Sequence, residues 1–215
     1  MQIDYYEKGT TIEALAHLKP NGFISKREVF DNYLVNFIKK EPLVDLKEAT
    51  EITNIERVSD GFILSTADNS TQIKAKLVIA ADGAQSKFAR QIGKIQKESK
   101  HYFASIRAYY KNVKGFDSLN YIELHYLKEF LPGYLWVFPL PNGEANVGAG
   151  IRTDLIKKNS TNLKKDMLHI LKEHPRFKER FKSAELVGDI RGFGLPLGSK
   201  KRKISGDNYM LVGDA

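Results

Sequence analysis

Cysteine is absent from all 215 residues, which excludes disulfides, Cys-ligated zinc, iron–sulfur clusters and thiol catalysis within this stretch. Histidine is sparse. His17, His101, His125, His169 and His174 form no i, i+4 pair and no HExxH pattern, so no metal site is expected. Long apolar runs are missing too: the longest, 77–81 and 135–140, fall far short of a membrane span. No basic segment followed by an apolar one opens the chain, so the expected location is the cytoplasm. No repeat or low-complexity tract interrupts the pattern.

What is present belongs to a globular α/β chain. Hydrophobic residues make up 42% and charged residues 28%, enough apolar material for a substantial core. The net charge is +8 and it is lopsided: residues 1–100 carry 15 Lys and Arg against 14 Asp and Glu, residues 101–215 carry 19 against 12. Such an excess attracts phosphorylated ligands or an anionic lipid surface. The densest run, Lys200-Lys201-Arg202-Lys203, reads as a solvated loop. Its lysines are not interleaved with aromatics, so nucleic acid is not an expected partner.

The clearest helix is 25–40. Ser25 and Glu28 match a capping box, and Val29, Phe30, Tyr33, Leu34, Phe37 and Ile38 form one apolar face. Short strands punctuated by turns follow from 44 to 81. The last, "IKAKLVIAADG", is continuously apolar, as a strand covered on both faces reads. A short helix at 86–92 is expected next. Strands at about 101–112, 119–128, 133–140 and 144–152 alternate with Gly, Pro and Asn-Gly breaks and predict an antiparallel sheet. A helix near 160–172, irregular chain and a final apolar strand in "NYMLVGDA" complete the reading. The first twenty residues contain no strand, Gly-rich turn and helix unit.

Three features suggest chemistry. Two apolar strands end in acid–glycine pairs, Asp82-Gly83 and Gly213-Asp214. Asp and Gly make ordinary turns after strands, but carboxylates at the C-terminal ends of sheet strands also bind ribose or ribityl hydroxyls. The third feature is "GYLWVFPLPNGEANVGAG", in which Tyr134, Trp136 and Phe138 recur at strand spacing and Gly148 and Gly150 follow a turn. This is either plain core or the wall of a cavity for a large apolar molecule. With Asn142-Gly143 as a two-residue turn, Pro141 faces Glu144 and Phe138, Trp136 and Tyr134 lie opposite Val147, Ala149 and Ile151. That register sends Gly148 and Gly150 to the other face, beside Val137 and Leu135.

The segments "VIAADGAQSKFAR" and "GDNYMLVGDA" resemble the DG and GD motifs of the p-hydroxybenzoate hydroxylase class of FAD-dependent oxidoreductases. "SKREVFDNYL" is similar to the helix start where that class carries an arginine near the FAD pyrophosphate, here Arg27. Tyr134-x-Trp136-x-Phe138-Pro139, then Gly148-x-Gly150, resembles the substrate-cavity motif of the geranylgeranyl reductase family. The resemblance implies a partial FAD-binding (Rossmann-like) domain at 1–97, an antiparallel-sheet substrate domain at 98–185, and a return to the FAD domain at 186–215. It implies FAD as cofactor, bound by Arg27, Asp82, Gly83, Ser86, Gly213 and Asp214. It also implies an isoprenoid substrate, a large apolar small molecule, on Tyr134, Trp136, Phe138, Gly148 and Gly150. An external electron donor and peripheral membrane contact belong to the same expectation.

The sequence departs from that family in lacking a GxGxxG fingerprint, so an internal fragment of a longer enzyme, inactive alone and poor at binding FAD, is expected. None of the named residues is a proton-transfer catalyst. The expected reaction is hydride transfer from reduced flavin to isoprenoid double bonds. An FAD-dependent monooxygenase, a flavin-dependent halogenase and a non-catalytic basic binding module are the alternatives.

Overall fold

A computed structural model describes residues 2–5 and 22–215; the reading of the first twenty residues therefore lies outside the described residues except at 2–5. In chain order the elements are β1 (Gln2–Tyr5), α1 (Arg27–Ile38), β2 (Asn54–Val58), β3 (Gly61–Ser65), β4 (Gln72–Ala75), β5 (Val78–Ala80) and α2 (Lys87–Gln91). Then follow β6 (Tyr102–Lys111), β7 (Glu123–Tyr126), β8 (Tyr134–Pro139), β9 (Ala145–Arg152), α3 (Thr153–Lys158), α4 (Leu163–Glu173), α5 (Lys178–Phe181), β10 (Glu185–Pro196), β11 (Ser205–Gly206) and β12 (Tyr209–Leu211). The described residues divide into two units, one of 2–5, 22–25 and 99–197, the other of 26–98 and 198–215.

The first unit is built on a six-stranded sheet in the order β1-β7-β8-β9-β6-β10, antiparallel except where β1 runs parallel to β7. Strict alternation explains its two faces. Along β8, Leu135 and Val137 are fully buried while Tyr134, Trp136 and Phe138 are half-buried. The buried face, with Val147, Ala149 and Ile151 of β9, meets Leu163, Met167, Ile170 and Leu171 of α4 together with Phe177 and Phe181. Apolar spacing along α4 supplies that stripe, and the Asn162 side chain caps the helix by accepting from Lys165 N–H.

A buried ion pair ties this core to the sheet. Arg180 donates two hydrogen bonds of 2.7 Å to Glu123 of β7, and His125 Nε2 lies 3.0 Å from the same carboxylate. Arg180 Nε also donates to the Lys114 carbonyl, so one guanidinium joins α5, β7 and the loop after β6. Burial alone would raise the Glu123 pKa. Hydrogen bonds from Arg180 and His125, with their charge, outweigh it and hold the carboxyl at about 2.

The second unit contains an antiparallel meander, β2-β3-β4, and a three-stranded sheet ordered β11-β12-β5. β12 runs parallel to β5, with Tyr209 beside Val78 and Leu211 beside Ala80. Its core gathers Phe62, Phe88, Tyr209, Leu211 and Ala80, the Phe88 ring standing edge-on to Phe62 at 5.1 Å. Each such ring contributes on the order of 2 kcal/mol by leaving water.

Several sequence expectations need correction here. Residues 186–196, assigned to a return segment and read as irregular, run as β10 along β6 within the six-stranded sheet. The N-cap of α1 is Lys26, one residue later than the expected Ser25, and the Lys26 side chain makes no cap bond. No residue of α1 is buried, and its apolar face is exposed in the second unit. β5 and β12 are covered on one face only: Ile79 is 60% exposed and its neighbour Met210 49%.

Candidate functional site

In the second unit, Asp82-Gly83 and Gly213-Asp214 follow adjacent parallel strands at the same, C-terminal end. Val212 N–H donates to the Ala80 carbonyl at 2.9 Å, continuing the alignment beyond the strands. Gly83 has φ of 75° and Gly213 φ of 67°, left-handed conformations that favour glycine, and a Cβ at either would meet nothing within 4 Å. The backbone at both points is therefore open to close approach. Both carboxylates are exposed.

The other expected cofactor residues occupy varied settings. Ser86 is buried, and its hydroxyl accepts from Ala89 N–H at 2.8 Å as the N-cap of α2, so it shapes the helix start from within. Asp82 accepts from Lys87 N–H at 3.0 Å, which fixes the turn between β5 and α2. Arg27 forms a forked pair with Asp31 one turn along α1, at 3.0 to 3.1 Å. A cavity of about 460 Å³ adjoins Asp82, lined by Ile55, Leu64, Ile79, Ala81 and Lys87 among others. At its rim a hydrogen bond and the charge of Lys87 lower the Glu51 pKa.

In the first unit, Tyr134, Trp136, Phe138, Gly148 and Gly150 share one face of the six-stranded sheet, opposite the helices. The observed register sets Trp136 beside Gly148, Tyr134 beside Gly150 and Phe138 beside Asn146. This overturns the expected pairing, which sent the glycines to the other face. The cause is the turn: Pro141–Gly143 form a three-residue connection, with Asn142 at φ 60° and Gly143 at φ 71°, and Leu140 N–H donates to the Glu144 carbonyl. One extra turn residue slips the register by one and flips every side chain. The glycines are needed because rings lie over them. A Cβ on Gly148 would collide with the Trp136 indole, and one on Gly150 with the Phe103 ring. Trp136 Nε1 donates to Asn146 Oδ1 at 3.1 Å, fixing the indole across the strand.

Sequence reasoning missed further members of this face. Phe103, Ser105, Arg107 and Tyr109 of β6 alternate onto it, and Arg107 stands beside Gly148 on one side and Arg191 of β10 on the other. The Arg107 guanidinium lies 4.5 Å from the Tyr109 ring centre and 5.9 Å from that of Phe193. The period-two pattern of "YFASIRAYYK" carried the signal for β6. Arg191 lay in the stretch read as irregular.

Two family models match the chain and overlap at 102–144. The family model described as FAD binding domain matches residues 17–144, and that of the geranylgeranyl reductase catalytic domain matches residues 102–189. The digeranylgeranylglycerophospholipid reductase of Methanococcus aeolicus is 32% identical over 203 residues, covering 92% of this chain and 49% of that protein. The enzyme of the same name from Methanosarcina acetivorans is 30% identical over 221 residues, covering 98% and 51%. The chain thus spans about half the length of the curated relatives it matches. Among solved structures, a geranylgeranyl bacteriochlorophyll reductase-like protein from Thermoplasma acidophilum superposes with a TM-score of 0.76 at 22% identity, covering 99% of this chain and 50% of that one. A flavin-dependent brominase gives a TM-score of 0.73 at 21% identity over 99% and 53%. These two likenesses describe the fold. Among the described residues, no helix is long and apolar enough to cross a membrane.

Proposed function

The chain belongs to the geranylgeranyl reductase family of FAD-dependent oxidoreductases, and from that premise we propose that the protein reduces carbon–carbon double bonds of an isoprenoid chain. The observation that carries the reading is the pair of acid–glycine turns at the ends of neighbouring parallel strands. Two exposed carboxylates and two open, left-handed glycines fit the hydroxyl-rich part of a dinucleotide. Asp82 and Asp214 would accept hydrogen bonds from its hydroxyls. Gly83 and Gly213 would let the main chain close on it. Arg27 would add a fork of donors for a phosphate, exchanging its contact with Asp31.

FAD bound there in its reduced form would supply a hydride to one alkene carbon, the other carbon taking a proton from solvent. The chain's own contribution is binding and orientation. Tyr134, Trp136 and Phe138 present adjoining rings, with centres 6.1 and 6.2 Å apart along the strand. An isoprenoid laid on them leaves water at about 0.8 kcal/mol per methylene buried. The hydrogen bond from Trp136 to Asn146 leaves the indole no free donor and a fixed orientation, which favours an apolar chain over a polar ligand. The curated relatives are named for an isoprenoid phospholipid, which supports the same substrate class.

The test is anaerobic incubation of the full-length, FAD-loaded protein with a reductant and a geranylgeranyl lipid, followed by mass spectrometry. A gain of H2 for each double bond is expected, with no dependence on oxygen or halide. Oxygen incorporation or halide incorporation would replace this reading with monooxygenase or halogenase chemistry. A full-length protein that takes up no FAD would leave only a binding role.

A further inference from the structure

Like charges set directly opposite on neighbouring strands destabilise a sheet. Arg107 of β6 and Arg191 of β10 are such a pair. Nearby cations are matched to carboxylates, Lys111 to Glu185 at 2.9 Å and Arg152 to Asp154 at 2.6 Å. Among the described residues, no salt bridge joins Arg107 or Arg191 to a carboxylate. Arg107 is held instead by ring faces, those of Tyr109 and Phe193. Its planar fork is thus oriented without its hydrogen-bonding edge being neutralised.

The surroundings indicate which anion fits. Trp136, Gly148, Arg107 and Arg191 stand in one row across four strands. Strands lie about 4.8 Å apart, so the backbone of Arg107 is roughly 10 Å from that of Trp136. The indole extends over Gly148, so aromatic surface reaches toward the arginines. A ligand spanning the row needs an apolar end and an oxyanion end. Two guanidinium forks match the several oxygens of a phosphoryl group better than they match a single carboxylate.

We propose that Arg107 and Arg191 clamp the phosphate group at the head of the isoprenoid substrate, while its chain lies on Tyr134, Trp136 and Phe138. This inference rests on the substrate reading above. The pair acts as a specificity determinant, raising affinity for phosphorylated over neutral isoprenoids.

Trp136 is the only tryptophan of the 215 residues and lies in the same row, so its emission reports on this face. The protein is titrated with farnesyl phosphate, farnesol and inorganic phosphate, with Trp136→Phe as the signal control. Both prenyl ligands should change the Trp136 emission, farnesyl phosphate binding at least about tenfold more tightly, and its affinity should fall with added salt. Arg191→Gln and Arg107→Gln should each remove most of that advantage and leave farnesol affinity unchanged; Arg191→Lys should restore part of it. Equal affinities for the two prenyl ligands, or an advantage that survives both glutamine variants, would overturn the clamp while leaving the apolar site intact. No response to either prenyl ligand would overturn the substrate reading and the clamp with it. Arginine-dependent binding to phosphatidylglycerol vesicles without preference for farnesyl phosphate would show a membrane contact in place of a substrate clamp.

Discussion

A methyl group added at Gly148 would fall on the Trp136 indole and the Ile106 carbonyl, whereas one added at Gly192 in the same sheet meets only the Ser105 carbonyl at 3.8 Å. Gly148→Ala should therefore cost about 2 kcal/mol or more and red-shift the Trp136 emission, while Gly192→Ala stays within about 0.5 kcal/mol. Urea unfolding of the two variants checks this; equal losses would contradict the packing of the indole on Gly148. A second residue-scale prediction concerns Glu123. Arg180→Met strands a buried carboxylate and should cost about 3 kcal/mol at neutral pH. The folded pKa, about 2, lies below the ordinary 4.5, so the pairing contributes fully above about pH 4.5 and is lost as pH falls toward 2. The gap between wild type and Arg180→Met should close over that window. A gap independent of pH would point to lost packing alone. Glu123 and Arg180 are 57 residues apart, and no local pattern in the sequence announces their meeting.

At the scale of elements, local signals served well where geometry is local and failed where one residue changes a register. Alternation identified β6, β7, β8 and β9, and the apolar spacing of α4 marked its buried stripe. The hairpin register was not legible because Asn142-Gly143 suits a two-residue turn as well as the observed three-residue one. β10 escaped notice because Gly188, Gly192 and Gly194 dilute its pattern and most of its residues are exposed. The N-terminus of α2 offers a test of a different kind. Ser86→Ala removes the cap on Ala89 N–H and should cost about 1 kcal/mol, with Ser86→Asp restoring part of it. If the alanine variant melts like wild type in urea, the short helix is held by Phe88 and its ring contacts instead.

At the scale of the whole molecule, the two acid–glycine pairs were legible because a strand running into Asp-Gly is a local pattern. Their adjacency was not, since Val78 and Tyr209 meet across the entire segment 99–197. That adjacency has a consequence for synthesis. A nascent chain leaves the ribosome N-terminus first at about 5–20 residues per second, so β5 emerges on the order of ten seconds before β12. The intervening sheet is built mostly from strands close in sequence, β6 to β10, and can close during that wait. The acid–glycine turns of Asp82 and Asp214 come side by side only when translation reaches the last few residues of this sequence.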